Sequence, residues 1–212
     1  SGTLRGPLTS PDVLASAQGA DILYDGVSLA GFTARVDFDP TSQRRSAIDA
    51  HLRQLRLNRR VVHSMDFTLE GPASAASAHL DIQAPGLHLA AAASGGFRSG
   101  AFSGQLESLA LTGSDSLRLH LEQPAALTLS PAASGIERFC LIGTPGNLCA
   151  QGNWTPAAWS TVLTASRLPL STLTAGRTPA VEYQGAIDVA ARLFGGGGNP
   201  AQGTLRVDLS HG

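Results

Sequence analysis

Apolar residues recur at every second position over much of this 212-residue chain. Phe32, Ala34, Val36 and Phe38 alternate with Thr33, Arg35 and Asp37, and Met65, Phe67 and Leu69 alternate with Asp66, Thr68 and Glu70. The same period places Leu80 and Ile82 around Asp81, and links Leu87, Leu89 and Ala91. It recurs in Leu117, Leu119 and Leu121, which alternate with Arg118 and His120. Tyr183, Gly185, Ile187 and Val189 form a further set, and Leu205, Val207 and Leu209 form the last. Side chains i and i+2 share one face of a strand, so each set predicts a strand with one apolar and one wet face. That is the pattern of antiparallel sheet. Turn signals separate the sets: Asp25-Gly26, Asp39-Pro40, Gly71-Pro72, Pro85-Gly86, Gly113-Ser114, Pro145-Gly146 and Asn199-Pro200. Their spacing predicts a meander of about a dozen strands.

Two segments read less simply. Ser46 to Leu57 has Ile48, Leu52 and Leu55 at helical spacing and Ile48, Ala50 and Leu52 at strand spacing; strands on both sides favour strand. Pro169 to Thr174 is expected to form a short helical turn. At an offset of 33, Ile22, Tyr24, Phe32, Ala34 and Val36 match Leu55, Leu57, Met65, Phe67 and Leu69, with Asp25 over Asn58 at the turn. A period in this range points to a stacked, quasi-linear architecture.

Composition sharpens the picture. Hydrophobic residues make up 42% but aromatics only 5%, so small and aliphatic side chains carry the apolar content. The net charge of -1 gives no overall pull toward nucleic acid. All 15 basic residues are arginine, a result of codon usage in a GC-rich genome or of a preference for guanidinium groups that fork phosphate. Arg44, Arg45, Arg53, Arg56, Arg59 and Arg60 form the one charge cluster. It reads as a solvated sheet face, or as a contact for anionic headgroups. No aromatics interleave it, which disfavours nucleic acid. The longest apolar run, Leu89 to Ala93, falls far short of the roughly 18 residues of a membrane helix. Ser1-Gly2 reads as a cloning remnant, so residues 1–212 are expected to be a single β-groove segment cut from a longer chain.

Candidate chemistry is sparse. Cys140 and Cys149 flank Gly143-Thr-Pro-Gly-Asn147 and can either meet across a hairpin as a disulfide or stay as two buried thiols. A metal site needs more ligands than lie nearby. A disulfide implies an oxidising compartment, which in a bacterium is the periplasm. Gly100-Ala-Phe-Ser-Gly104 has the wrong spacing for a nucleophile elbow, and Pro200 opposes a phosphate-binding helix after Gly196-Gly-Gly-Asn. The histidines at 51, 63, 79, 88, 120 and 211 form no i, i+4 pair, and no local carboxylate pair suggests acid–base work. The expectation is a protein with no catalytic residues and no cofactor.

From about Asp12 to Leu209 the chain resembles the TamB family, relatives of the AsmA-like bridge proteins. The resemblance is carried by Val62-His-Ser-Met-Asp-Phe-Thr-Leu-Glu-Gly71, by Ala78-His-Leu-Asp-Ile82 and by Leu87-His-Leu-Ala-Ala-Ala-Ala-Ser-Gly95. It continues through Gly104-Gln-Leu-Glu-Ser-Leu-Ala-Leu111. Most specific is Cys140-Leu141, then Leu148-Cys149, then Gly152-Asn-Trp154, followed by Leu168-Pro-Leu170. The chain departs from the family pattern at Ala101-Phe102, where a tryptophan would be expected. The resemblance implies a β-taco, a long all-β antiparallel meander curled into an open half-pipe with an apolar interior. It implies a periplasmic protein, anchored at full length in the inner membrane of a Gram-negative bacterium, that moves phospholipid toward the outer membrane. It also implies assistance to outer-membrane protein assembly with an outer-membrane β-barrel partner (TamA), contacted near the full-length C-terminus.

The residues lead independently in the same direction. A two-faced sheet with no amphipathic helices to cover its apolar side must curl on itself or bind something apolar. Phospholipid acyl chains in such a trough gain roughly 0.8 kcal/mol per buried CH₂ without directional bonds, so they can slide. The expected lining is Phe32, Val36, Met65, Phe67, Leu69, Leu80, Ile82, Leu87, Leu89, Leu117, Leu119 and Leu121. The competing reading is a structural or adhesin-like β-solenoid or sandwich whose core is filled by its own side chains.

Overall fold

The computed structural model describes residues 1–5, 12–39, 45–57, 60–113, 117–170, 185–196 and 199–210. These hold fifteen strands: β1 (Gly2–Arg5), β2 (Asp12–Tyr24), β3 (Val27–Phe38), β4 (Arg45–Leu57), β5 (Arg60–Pro72), β6 (Ala76–Ala84), β7 (Leu87–Arg98) and β8 (Ala101–Gly113), then β9 (Arg118–Leu121), β10 (Ala125–Leu129), β11 (Ser134–Thr144), β12 (Asn147–Trp154), β13 (Trp159–Pro169), β14 (Ala186–Gly196) and β15 (Asn199–Ser210). All belong to one antiparallel sheet in which chain order is spatial order. The expected all-β meander is therefore present, with more strands than the turn signals alone suggest.

β9 and β10 share one position. β9 pairs with residues 110–112 of β8, β10 pairs with residues 102–106 of the same strand, and both also pair with β11. Pro124, which cannot donate to a ladder, lies between them and breaks the strand in two. Gly71 and Pro72 still belong to β5, and the turn falls on Ala73–Ala75. Asn199 and Pro200 open β15 rather than forming a turn. Ser46 to Leu57 is strand throughout, as its neighbours favoured. Pro169 closes β13; the rest of the expected helical turn from residue 171, and Tyr183, Pro40 and Ser114, lie outside the described residues.

The offset of 33 is structural. β2 and β4 begin and end 33 residues apart, and each carries one left-handed residue at the matching place, Asp21 (φ 53) and Gln54 (φ 51). Such a residue shifts the side-chain alternation by one. It explains why the apolar spacing lengthens to three between Gly19 and Ile22 and between Leu52 and Leu55. A Cβ built on Gly19 would lie 2.5 Å from Cε1 of Phe32 and 3.0 Å from Cδ1 of Ile22, so all three positions share one face.

The sheet is curled and open. Phe38 and Phe97 stand on β3 and β7, four strand spacings apart, roughly 19 Å on a flat sheet. Their ring centroids are 5.3 Å apart, so the apolar face bends in on itself. The accessible surface is 13683 Å², against roughly 9300 Å² for a compact monomer of this mass.

Cys140 and Cys149 are directly opposed in the β11–β12 register and are joined as a disulfide. Their neighbours Leu141 and Leu148 point to the curled-in face, so the bridge sits on the outer one. Closing this short loop limits the unfolded chain, and replacing both cysteines by serine is expected to cost roughly 2–3 kcal/mol. A urea titration of the paired variant showing an unchanged midpoint would contradict this.

Candidate functional site

Pairing register decides which alternating sets join. One row runs Ala15, Val36, Ile48, Leu69, Ala78, Ala93, Leu106 and Ala125, each residue directly opposite the next across β2 to β8 and β10. The adjacent row runs Ala17, Ala34, Ala50, Phe67, Leu80, Ala91 and Leu109. The third runs Gly19, Phe32, Leu52, Met65, Ile82, Leu89, Leu111 and Leu119. Past the break, Leu121, Leu141, Leu148, Ala165, Val189 and Val207 continue in register to β15. Leu109 and Leu121, the ends of the two segments, both pack on the same buried cluster. Every position named is apolar or glycine, so the curled-in face is one apolar band crossing the sheet.

Of the expected lining residues, Phe32, Met65, Ile82, Leu89 and Leu119 fall in one row. Phe67 and Leu80 fall in the second, and Val36 and Leu69 in the first. Leu121 belongs to the continuation beyond the break. Leu87 ends its set at the strand terminus, 38% exposed. Leu117 precedes β9 and, with Leu119 and Leu141, makes a buried cluster onto which Leu109, Leu111, Phe139, Leu148 and Leu168 pack. Ala15, Ala17, Ala78, Ala93 and Ala125 and the residues of β11 to β13 belong to none of the alternating sets, and Ala34, Ala91 and Val189, which do, were not expected in the lining. Their alternation is diluted by small side chains and becomes a row only once the register is known.

A second closure lies near β3 and β7. Phe97 touches Phe38 on one side and Phe102 on the other, with centroids 5.3 and 5.1 Å apart. The Phe102 ring occupies the space left by two glycines, since a Cβ on Gly95 or Gly104 would come within 2.7 or 2.9 Å of its Cζ. The aromatic at this position thus fills the hollow over the glycine pair, where the family pattern led to the expectation of tryptophan. Leu69, Ala73 and Ala76 are buried beside it.

The outer face is polar. Asp66 and Asp81 stand directly opposite each other. His51 Nδ1 lies 2.6 Å from Asp66 Oδ1, and His88 Nε2 lies 2.6 Å from Asp81 Oδ2. On β15 the hydrogen bond from Arg206 Nε to Asp208 at 2.8 Å holds the guanidinium above its usual pKa. Among the described residues no group of histidines, cysteines and carboxylates is arranged to hold a metal. A hollow of about 910 Å³ lies on this wet face against Ser16, Gln18, Thr33, Arg35, Asp49 and His51, so it is no apolar pocket.

Within the arginine cluster, Arg45 pairs with Glu70 with both side chains more than half exposed, and Arg53 and Arg56 are exposed. Arg44 and Arg59 lie outside the described residues. Exposed charges of this kind contribute little to folding. Replacing Arg53 and Arg56 together by serine is expected to change stability by less than about 1 kcal/mol. A larger loss in chemical denaturation would place them in ion pairs.

The family model described as TamB, N-terminal domain, matches residues 1–212. No curated protein and no solved structure matches the chain. An all-β, sequentially paired, curled sheet is the architecture the resemblance implied, and the chain belongs to the TamB family.

Proposed function

We propose that this domain is a section of a lipid conduit. Phospholipid acyl chains lie along the apolar band, and the protein works without catalysis, as part of a periplasmic route between the inner and outer membranes. The observation that carries the reading is the unbroken register of apolar positions from Ala17 on β2 to Leu109 on β8, taken up again from Leu121 to Val207. An apolar surface of this extent, on a sheet with surface well above that of a compact globule, needs an apolar occupant. Acyl chains supply one at roughly 0.8 kcal/mol per buried CH₂, and the absence of polar side chains in the rows leaves nothing to pin a lipid at one place. Membership of the TamB family supports the cell-envelope setting, and the outer-face disulfide is consistent with an oxidising compartment. Assistance to outer-membrane protein assembly, through a β-barrel partner reached by the full-length chain, is part of the same proposal.

A photo-crosslinking residue at Phe67, on the band, should capture lipid from vesicles or cells, while one at Thr68, on the outer face, should not. Equal capture at both positions, or none at either, would favour a closed structural fold in which the band is filled by the protein itself.

A further inference from the structure

The two closures of the trough lie at opposite ends of the strands. One rim of the sheet is formed by the turns Asp25–Gly26, Pro85–Gly86 and Pro145–Gly146. The other is formed by Ala73–Ala75, Ser99–Gly100 and Thr155–Ala158. In the first half of the chain the second rim is closed. Phe38, Phe97 and Phe102 meet there, over Ala73 and Ala76 that are each 2% exposed. In the second half it is the first rim that is closed, by Leu117, Leu119 and Leu141 with Leu168 packed on them.

Away from the edge strand β15, where Leu205, Val207 and Leu209 are all exposed, the exposed apolar residues of the band complement this pattern. In the first half, Tyr24, Leu57 and Leu87 are 78%, 44% and 38% exposed, and all three stand at the first rim. In the second half, Leu129, Trp154 and Leu193 are 47%, 44% and 37% exposed, and all three stand at the second rim. Leu57, Leu87, Leu129 and Trp154 are on interior strands, so their exposure does not come from lying at the edge of the sheet. Register puts each of them on the curled-in face: Leu57 is two residues from Leu55, Leu129 two from Leu127, and Trp154 two from Gly152 in the band's own alternation. A long sheet that both curls and twists turns its opening relative to the strand ends as it advances, which supplies the physical cause.

We infer that the opening of the trough crosses from one rim to the other along its length, and that phospholipid headgroups follow it. They lie beside Tyr24, Leu57 and Leu87 in the first half and beside Leu129, Trp154 and Leu193 in the second. The inference deepens the conduit reading and rests on it. A charged headgroup cannot leave water without a large cost, whereas acyl chains gain by burial. The headgroup is therefore confined to whichever rim is open. The crossing falls at β7 to β10, where Ala91, Ala93 and Ala125 keep the floor of the trough shallow in side chains.

The test uses the chain with unilamellar vesicles of phosphatidylethanolamine and phosphatidylglycerol. The vesicles are doped with phospholipid bearing a photoreactive diazirine either on the headgroup or at the acyl terminus, and labelled positions are mapped by peptide mass spectrometry. The acyl probe should label the band, including the segments around Phe67 and Leu80. The headgroup probe should label the segments around Tyr24, Leu57 and Leu87 and those around Leu129, Trp154 and Leu193. It should leave those around Phe97 and Leu168 unlabelled. The double variant Phe38→Ala with Phe97→Ala should add headgroup labelling at the second rim of the first half, around Ala101. Acyl labelling of the band with headgroup labelling along one rim throughout, or along both rims in both halves, would overturn the crossing while leaving the conduit intact. Absence of acyl labelling from the band would overturn the conduit reading and the crossing together.

Discussion

Leu119→Arg is expected to unfold or severely destabilise the domain, by roughly 3–5 kcal/mol or more. Leu119 is 3% exposed in the cluster with Leu117 and Leu141, and the partly buried Leu109, Leu111, Leu121 and Leu148 surround it. Truncating a leucine in such a place already costs about 2–5 kcal/mol. An arginine adds volume to a filled site and an unpaired charge to a dry one. The cluster also holds the broken strand in place: β9 is only four residues long, yet it joins β8 to β11 at this rim. Losing it should loosen the sheet on both sides of the break. Circular dichroism and a urea titration of the purified variant are sufficient measurements. A cooperative transition near the parent midpoint would show that the cluster is not a packed core. This position therefore cannot separate loss of transport from loss of fold, although sequence alternation alone places it on the same footing as Ile82.

Ile82→Asp should do the opposite, abolishing lipid capture while the fold persists. Ile82 lies mid-row between Met65 and Leu89 on the half-buried part of the band, away from both closures. Its carboxylate can reach water through the open side of the trough, so its cost to folding is that of a lost apolar contact, of order 1–3 kcal/mol. For a sliding acyl chain the same carboxylate is a charged, hydrated obstacle that must be desolvated or bypassed. The readout is capture by a crosslinker at Phe67 in the Ile82→Asp background, with thermal unfolding followed in parallel. Undiminished capture with a folded protein would remove Ile82 from the lipid path. Unfolding would mean that this part of the band is packed core.

Much of the architecture is written in the chain. Side chains two apart on an extended backbone must share a face, so the sets at Phe32–Phe38, Met65–Leu69 and Leu205–Leu209 identify strands without any knowledge of their neighbours. The correspondence at offset 33 also proves real, because β2 and β4 carry left-handed residues at Asp21 and Gln54 that place the same shift in the same part of each repeat. The two cysteines flank a turn closely enough that a hairpin brings them together. Even the ambiguous Ser46–Leu57 resolves through its context, since an interior strand position between two long strands is the place where its backbone groups find partners.

Register and curl are different in kind. A one-residue slip between strands would send every side chain of one set to the other face, and alternation in a single strand contains no information about its neighbour's offset. Ala78, Ala91 and Ala93 acquire meaning only by standing opposite Leu69, Leu80 and Leu106. The curl is less local still. Phe38 and Phe97 are 59 positions apart in the chain and four strands apart in the sheet, and only the accumulated bend and twist of the intervening strands brings their rings to 5.3 Å. For that reason the sequence by itself determined the strands that carry a clear alternation, their faces and the placing of the two cysteines about one turn, which depend on neighbours along the chain. The tertiary structure alone decided which leucines are packed core and which rim is open, because both depend on the summed geometry of the whole sheet.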